Sequence, residues 1–176
     1  MWRFIPRCTT PRWTVLAQQV MMMRLDSAPE TGTARYHMDK WDGAAAARRR
    51  LFDALGEAGV ANTVVLTGDI HQNWAGELKA DFDDAGSATV GVEFVATSIS
   101  SGGDGAPMTR AGRVGLQKNP HIRYFNNQRG YLRHWVGREH WQADYRVLDR
   151  VSEKGAGVAT AASFIVEAGR PGLRPA

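Results

Sequence analysis

The stretch DGAAAARRRLFDALGEAGVANTVVLTGDIH, residues Asp42–His71, decides the fold. Within it Ala47, Leu51, Leu55 and Ala58 recur at helical spacing, which predicts an amphipathic helix over Ala44–Ala58. Asp42 stands where a carboxylate caps a helix start, and Gly59 where a glycine closes its end. Asn62–Thr67 follows as a short continuous apolar run, the pattern of a strand covered on both faces. A helix, a short link and a buried strand ending in Gly68-Asp69 together make an α/β signature.

Upstream, Trp13–Met23 is apolar and is predicted as a strand running into the core, and Ser27–Lys40 as a polar loop with Pro29 and Gly32. Met1–Arg12, with two prolines and scattered charges, has no clean period and reads as an atypical N-terminal segment. Downstream, Thr89–Thr97 alternates Val90, Val92, Phe94 and Ala96 with Gly91 and Glu93, as a half-buried strand does. Ser98–Ala106 is a Ser/Gly-rich loop. Arg110–Leu116 has helical character, which Pro120 ends. Tyr131–Val136, Trp141–Leu148 and Ala159–Glu167 are predicted strands, with Trp135, Trp141 and Tyr145 in the core. The tail Ala168–Ala176, rich in proline and glycine, is expected to fray. No internal boundary divides residues 13–172, and residues 173–176 form the terminal tail.

At 176 residues and 43% hydrophobic, the chain is one domain's worth with enough apolar residues for a core, which excludes wholesale disorder. Its net charge of +4 is spread without a Lys/Arg block, so there is no footprint for specific nucleic-acid binding. Cys8 is the single cysteine, so an intrachain disulfide is impossible. No run approaches the roughly 18 apolar residues of a membrane span. Met1–Trp13 lacks the apolar core of a secretory signal, and Arg48–Arg50 lies in the helical pattern, not in an export signal.

The strongest local chemistry is Thr67-Gly68-Asp69-Ile70-His71, directly after the buried strand. Ligands of α/β proteins gather at the carboxyl ends of sheet strands. If the chain stays extended there, Asp69 and His71 project to the same side. Carboxylate and imidazole together suit Fe, Mn or Zn, and the carboxylate alone suits Ca. A bland reading stands beside this one: an isolated Asp-x-His is common, and Asp69 equally caps a turn. A catalytic metal usually takes about three protein ligands or more, so the pair makes only part of a site.

Elsewhere the bland readings weigh more. His37, His121, His134 and His140 lack ligand spacing and read as surface or hydrogen-bonded structural residues. Ser98, Ser100 and Ser101 sit in no nucleophile elbow and read as a loop near the site's rim. Asp81, Asp83 and Asp84 lack the glycine and distal glutamate of a calcium loop and read as a solvated turn. Arg123, Arg129 and Arg133 suit a phosphate-binding face, with chance placement explaining them nearly as well. A nucleotide-binding module would need a G-x-G-x-x-G or a phosphate-loop lysine, and neither is present.

Seven blocks, in order, resemble the alkaline phosphatase D (PhoD-like) family of metallophosphoesterases. They are Trp13–Met22 (WTVLAQQVMM), Met38–Arg50 (MDKWDGAAAARRR), Val64–Trp74 (VVLTGDIHQNW), Leu78–Asp84 (LKADFDD), Glu93–Gly105 (EFVATSISSGGDG), Asn119–Tyr131 (NPHIRYFNNQRGY) and Trp141–Val147 (WQADYRV). The resemblance implies an α/β fold, part of a metallophosphoesterase-type β-sandwich flanked by helices. It implies hydrolysis of phosphate monoesters and diesters at an iron–calcium site by metal-activated water, in proteins exported by bacteria. On the family pattern Asp69 is an iron ligand, and His71 is a second metal ligand or a phosphate contact and the catalytic candidate.

Family members carry a longer N-terminal portion with further metal motifs, and nothing before Trp13 resembles it. The surroundings of Cys8 do not match the family's metal-binding cysteine, and Met1–Arg12 reads as an alternative or frameshifted start joined to a family C-terminal portion. The fold is therefore expected to be incomplete relative to the family, with strands such as Val64–Leu66 losing neighbours. The chain alone is expected to be inactive and to depend on a complementing N-terminal fragment. The competing reading is a catalytically silent vestigial fragment or partner-dependent β-rich module.

Overall fold

The computed structural model describes residues 11–29 and 32–176; Cys8 and most of the atypical N-terminal segment lie outside them. Among the described residues, nine strands and two helices follow in order: β1 (Thr14–Ala17), α1 (Ala45–Glu57), β2 (Thr63–Thr67), β3 (Asn73–Lys79), β4 (Thr89–Val95), α2 (Arg110–Lys118), β5 (Ile122–Asn126), β6 (Gly130–Val136), β7 (His140–Leu148), β8 (Val158–Glu167) and β9 (Arg170–Pro175). The first five strands form one sheet in the order β1-β2-β4-β3-β5, and the last four form a meander β6-β7-β8-β9. β1, β2 and β4 run parallel, while β3 runs antiparallel to both β4 and β5.

Alternation along the central strands creates two cores. Val64 of β2, with Val92 and Phe94 of β4, faces the meander and meets Trp141, Tyr145 and Phe164 there. Val65, Trp74 and Val95 point the other way, onto Met21–Met23 and the apolar stripe of α1, Phe52 and Leu55. The result is a helix layer, a mixed sheet and an antiparallel sheet. It is the expected β-sandwich with helices, all on the outer face of the mixed sheet.

The helix and the buried strand of the Asp42–His71 stretch fall where the sequence placed them, to within a residue or two. Several other expectations are corrected. β1 stops at Ala17, and the following Met21–Met23 cross the sheet as irregular backbone. Their support is Glu93, whose carboxylate accepts the N–H of Met22 at 2.8 Å and of Met23 at 2.6 Å. For the same reason β4 is not half-buried: it is a central strand with Gly91–Val95 all buried, and Glu93 is 0% exposed. Asp42 does not cap α1, whose N-cap is Ala44 without a side-chain bond. Its carboxylate accepts the Leu25 N–H at 3.1 Å and pairs with the buried Arg48 at 2.8 Å.

The tail does not fray. Gly169, at φ 79°, turns the chain so that β9 pairs antiparallel with β8, and Leu173 packs into the inter-sheet core. Trp135 is 59% exposed on the edge strand β6, outside the core that holds Trp141 and Tyr145. Val64–Leu66 keep neighbours on both sides, so the open edges nearest them are β1 in one sheet and β6 in the other.

Candidate metal and phosphoester site

The carboxyl ends of the parallel strands β1, β2 and β4 lie together, and the link Gly68–Gln72 leaves β2 at that end. It does not stay extended. The Ile70 N–H donates to the Gly68 carbonyl at 2.8 Å, which brackets Asp69, at φ 68°, in a three-residue γ-turn. His71 follows at φ 55°. Both are non-glycine residues in the left-handed region, where the Cβ meets the backbone at roughly 1–2 kcal/mol per residue. Asp and His tolerate that region better than most side chains, but two such residues within three positions need a frame that imposes them.

That frame is visible. The Gly68 N–H donates to the Gln19 carbonyl at 3.0 Å, and the Ala96 N–H to the Thr67 carbonyl at 2.9 Å. Thr67 Oγ1 donates to Glu93 at 2.7 Å, and Asn73 Oδ1 accepts the Thr97 N–H at 3.1 Å. Burial pushes the Glu93 carboxyl up to about 7, against the Met22 and Met23 amides, the Thr67 hydroxyl and the charge of Arg48. Glu93 thus joins the crossing segment to the residue before the turn. Sequence reasoning missed it, although a glutamate amid Val90, Val92, Phe94 and Val95 is itself a signal.

Asp69 and His71 are both exposed, at the end of the sheet where ligands of α/β proteins collect. The half-buried Lys40 lies near enough to feel the charge of Asp69. Burial lowers its ammonium below the usual lysine range, while Asp39, Asp69 and Asp42 pull it back up. Thr97, just past β4, buries its Oγ1 without a hydrogen-bond partner among the described residues. As a donor set, one carboxylate and one imidazole fit a hard or borderline cation. They fall short in number: no group of three His, Cys, Asp or Glu placed to hold a metal exists among the described residues.

The other candidates are engaged elsewhere. Arg123 pairs with Glu77 and Arg133 with Asp144, while Arg129 is buried and donates to Ser98 Oγ at 3.1 Å and to the Ser101 carbonyl. Ser98 and Ser101 therefore serve to hold their loop. Asp81 and Asp84 accept backbone N–H groups two residues on, and Asp83 pairs with Arg24. His121 is buried, donates from Nε2 to the Arg24 carbonyl at 2.8 Å and stacks edgewise on Phe82. His134 Nδ1 accepts the Trp141 indole N–H at 2.9 Å. These are structural histidines.

Over residues 7–145 the chain matches the family of PhoD-like phosphatases. It is 43% identical over 166 residues to alkaline phosphatase D of Bacillus subtilis (strain 168), a match covering 94% of this chain and 28% of that protein. A solved structure, described as the structure of PhoD, superposes with a TM-score of 0.89 at 42% identity, covering 96% of this chain and 32% of that one. The chain spans about three-tenths of the length of these relatives.

Proposed function

The chain belongs to the PhoD-like phosphatase family, and we propose that it supplies one corner of the active site of a metal-dependent phosphoric ester hydrolase. The observation that carries this reading is the doubly strained turn at the strand ends, which presents Asp69 and His71 to solvent. Strain of this kind persists where the surrounding structure holds it for function. Asp69 is the iron ligand of the proposal, and His71 a second ligand or a contact to the phosphoryl group, with calcium as the second metal. With further ligands in place, Asp69 and His71 would help hold a cation, which would supply charge neutralisation of the phosphoryl oxygens and water activation.

Two donors do not complete such a site, so the remaining ligands come from outside the described residues, from the same polypeptide or a separate one. The edge strands β1 and β6 suit that completion. Between them lies an opening of about 390 Å³ lined by Leu66, Phe94, Ile99, Tyr131 and Leu132, which further strands would cover.

Elemental analysis of the purified chain for Fe and Ca, with and without Asp69→Ala, tests the reading. Bound metal that is lost on substitution supports it; no metal in either protein favours the silent-fragment reading. The chain alone is expected not to hydrolyse a chromogenic phosphate ester and to bind a dye for exposed apolar surface. Robust hydrolysis by the pure chain would refute the need for completion.

A further inference from the structure

Each sheet has two edges, and three of the four are guarded. β1 is only four residues long, β5 bulges at Arg123, which its register with β3 skips, and β9 carries Pro171 and Pro175. Short strands, bulges and prolines are the usual protection against edge pairing. β6 has none of them. It runs seven residues along β7 without a break, a proline or a lysine. Its arginine is already engaged: the Arg133 guanidinium donates to Asp144 at 2.7 Å and lies over the Trp135 ring at 5.6 Å. Along this edge Trp135 is 59%, Val136 56% and Tyr131 44% exposed.

Hydrogen bonds fix which backbone groups of β6 face outward. The Leu148 N–H donates to the Arg129 carbonyl and the Gly137 N–H to the His140 carbonyl, each at 2.9 Å, so the odd-numbered residues bond to β7. The even-numbered ones turn away. Gly130 gives its N–H to the Ser98 carbonyl at 3.2 Å, while Leu132, His134 and Val136 find no strand partner among the described residues. We propose that β6 pairs antiparallel with β6 of a second copy of this chain, about a two-fold axis at His134, joining the two meanders into one sheet. Leu132 then bonds to Val136 of the second copy and His134 to its own counterpart, which uses the three free residues and leaves Gly130 with Ser98. Moving the axis to Arg133 would call on Gly130 and set two arginines opposite one another. Moving it to Trp135 would run Leu132 against the hairpin turn. With the axis at His134, Arg133 stands across from Trp135 of the second copy, and Tyr131 across from Gly137, which leaves room for its ring. Cation meets aromatic and aliphatic meets aliphatic, and this self-match identifies a copy as the occupant. His134 meets its counterpart uncharged, because its Nδ1 accepts the Trp141 indole N–H at 2.9 Å. The copy takes β6 and leaves β1 open to the completion proposed above, so neither reading depends on the other.

Light scattering of the full chain over a concentration series tests it, with hydrogen exchange of single amides as the second readout. A closed dimer is expected by roughly 100 µM. As it forms, the Leu132, His134 and Val136 amides should slow, whereas those of Arg133 and Trp135, already bonded to β7, should change little. Trp135→Lys sets a lysine against Arg133 of the second copy and is expected to weaken the dimer at least about tenfold. Met38→Lys, at a 71% exposed residue in the loop before α1, should leave it intact. A monomer with the three amides unprotected means that the edge stays bare, and one with them already protected means that the chain covers the edge itself; either overturns the proposal. So does an open-ended oligomer, or a dimer indifferent to Trp135→Lys. Metal content enters neither readout, so failure here leaves the phosphoester reading standing.

Discussion

A Cβ at Asp69 forces on the backbone what glycine would accept freely, and His71 repeats the strain two positions on. Asp69→Gly is therefore expected to stabilise the fold by up to ~1 kcal/mol, read as a higher urea midpoint, while metal binding is lost. A lower midpoint would mean that the carboxylate holds the turn together, and the case for Asp69 as a metal ligand would fail. The identity and position of this pair were legible in the sequence, because a glycine followed by acid and imidazole after an apolar run is a one-dimensional pattern. Their conformation was not, since it is imposed by Gln19 and Ala96, which lie far from the turn in the chain. Glu93 was hidden for a related reason. Strand alternation tells which residues share a face, but not that Met21–Met23, some seventy residues earlier, cover that face.

At the scale of elements, the two helices use glycine in opposite ways. Gly112 of α2 lies against the Phe125 ring, so closely that an added Cβ would overlap it, whereas nothing stands within 4 Å of a Cβ at Gly56 of α1. Alanine in a helix is favoured over glycine by about 1 kcal/mol. Gly56→Ala should therefore gain a few tenths to ~1 kcal/mol. Gly112→Ala should lose about 1–3 kcal/mol despite that gain, because Phe125 must leave its place. Denaturant titration of the two variants decides the matter, and a stabilised Gly112→Ala would show that α2 is not seated on β5 as described. Helix α1 and strands β2, β6, β7 and β8 could be read from apolar patterning, β2 as a continuous apolar run and α1 and β7 from their periods. β9 could not: its Pro171, Gly172 and Pro175 have the composition of a loose end, and only the turn at Gly169 and the open edge of β8 make them a strand.

For the molecule as a whole, two buried titratable groups grip the same segment and oppose each other in pH. Glu93 takes the amides of Met22 and Met23, and His121 holds the next carbonyl, that of Arg24. Burial raises Glu93 from 4.5 to about 7, so between those values the folded chain holds more protons than the unfolded chain, and stability falls as pH rises. His121 is pushed from 6.5 down to about 4, first by burial and further by Arg24 and Arg48, while the Arg24 carbonyl and Asp42 pull it up. There the unfolded chain holds more protons, and stability rises with pH. Each effect is on the order of 3 kcal/mol across its window. From pH 4.5 to 6.5 they offset, so the urea midpoint of the wild type should be nearly level, with His134, also lowered by burial, adding to the rise. Glu93→Gln should uncover a stability that climbs from pH 4 to 6.5, and His121→Gln one that drops from pH 4.5 to 7, each at unchanged denaturant slope. If both variants keep the level profile, neither group titrates in the folded interior, and the crossing segment is held by packing alone.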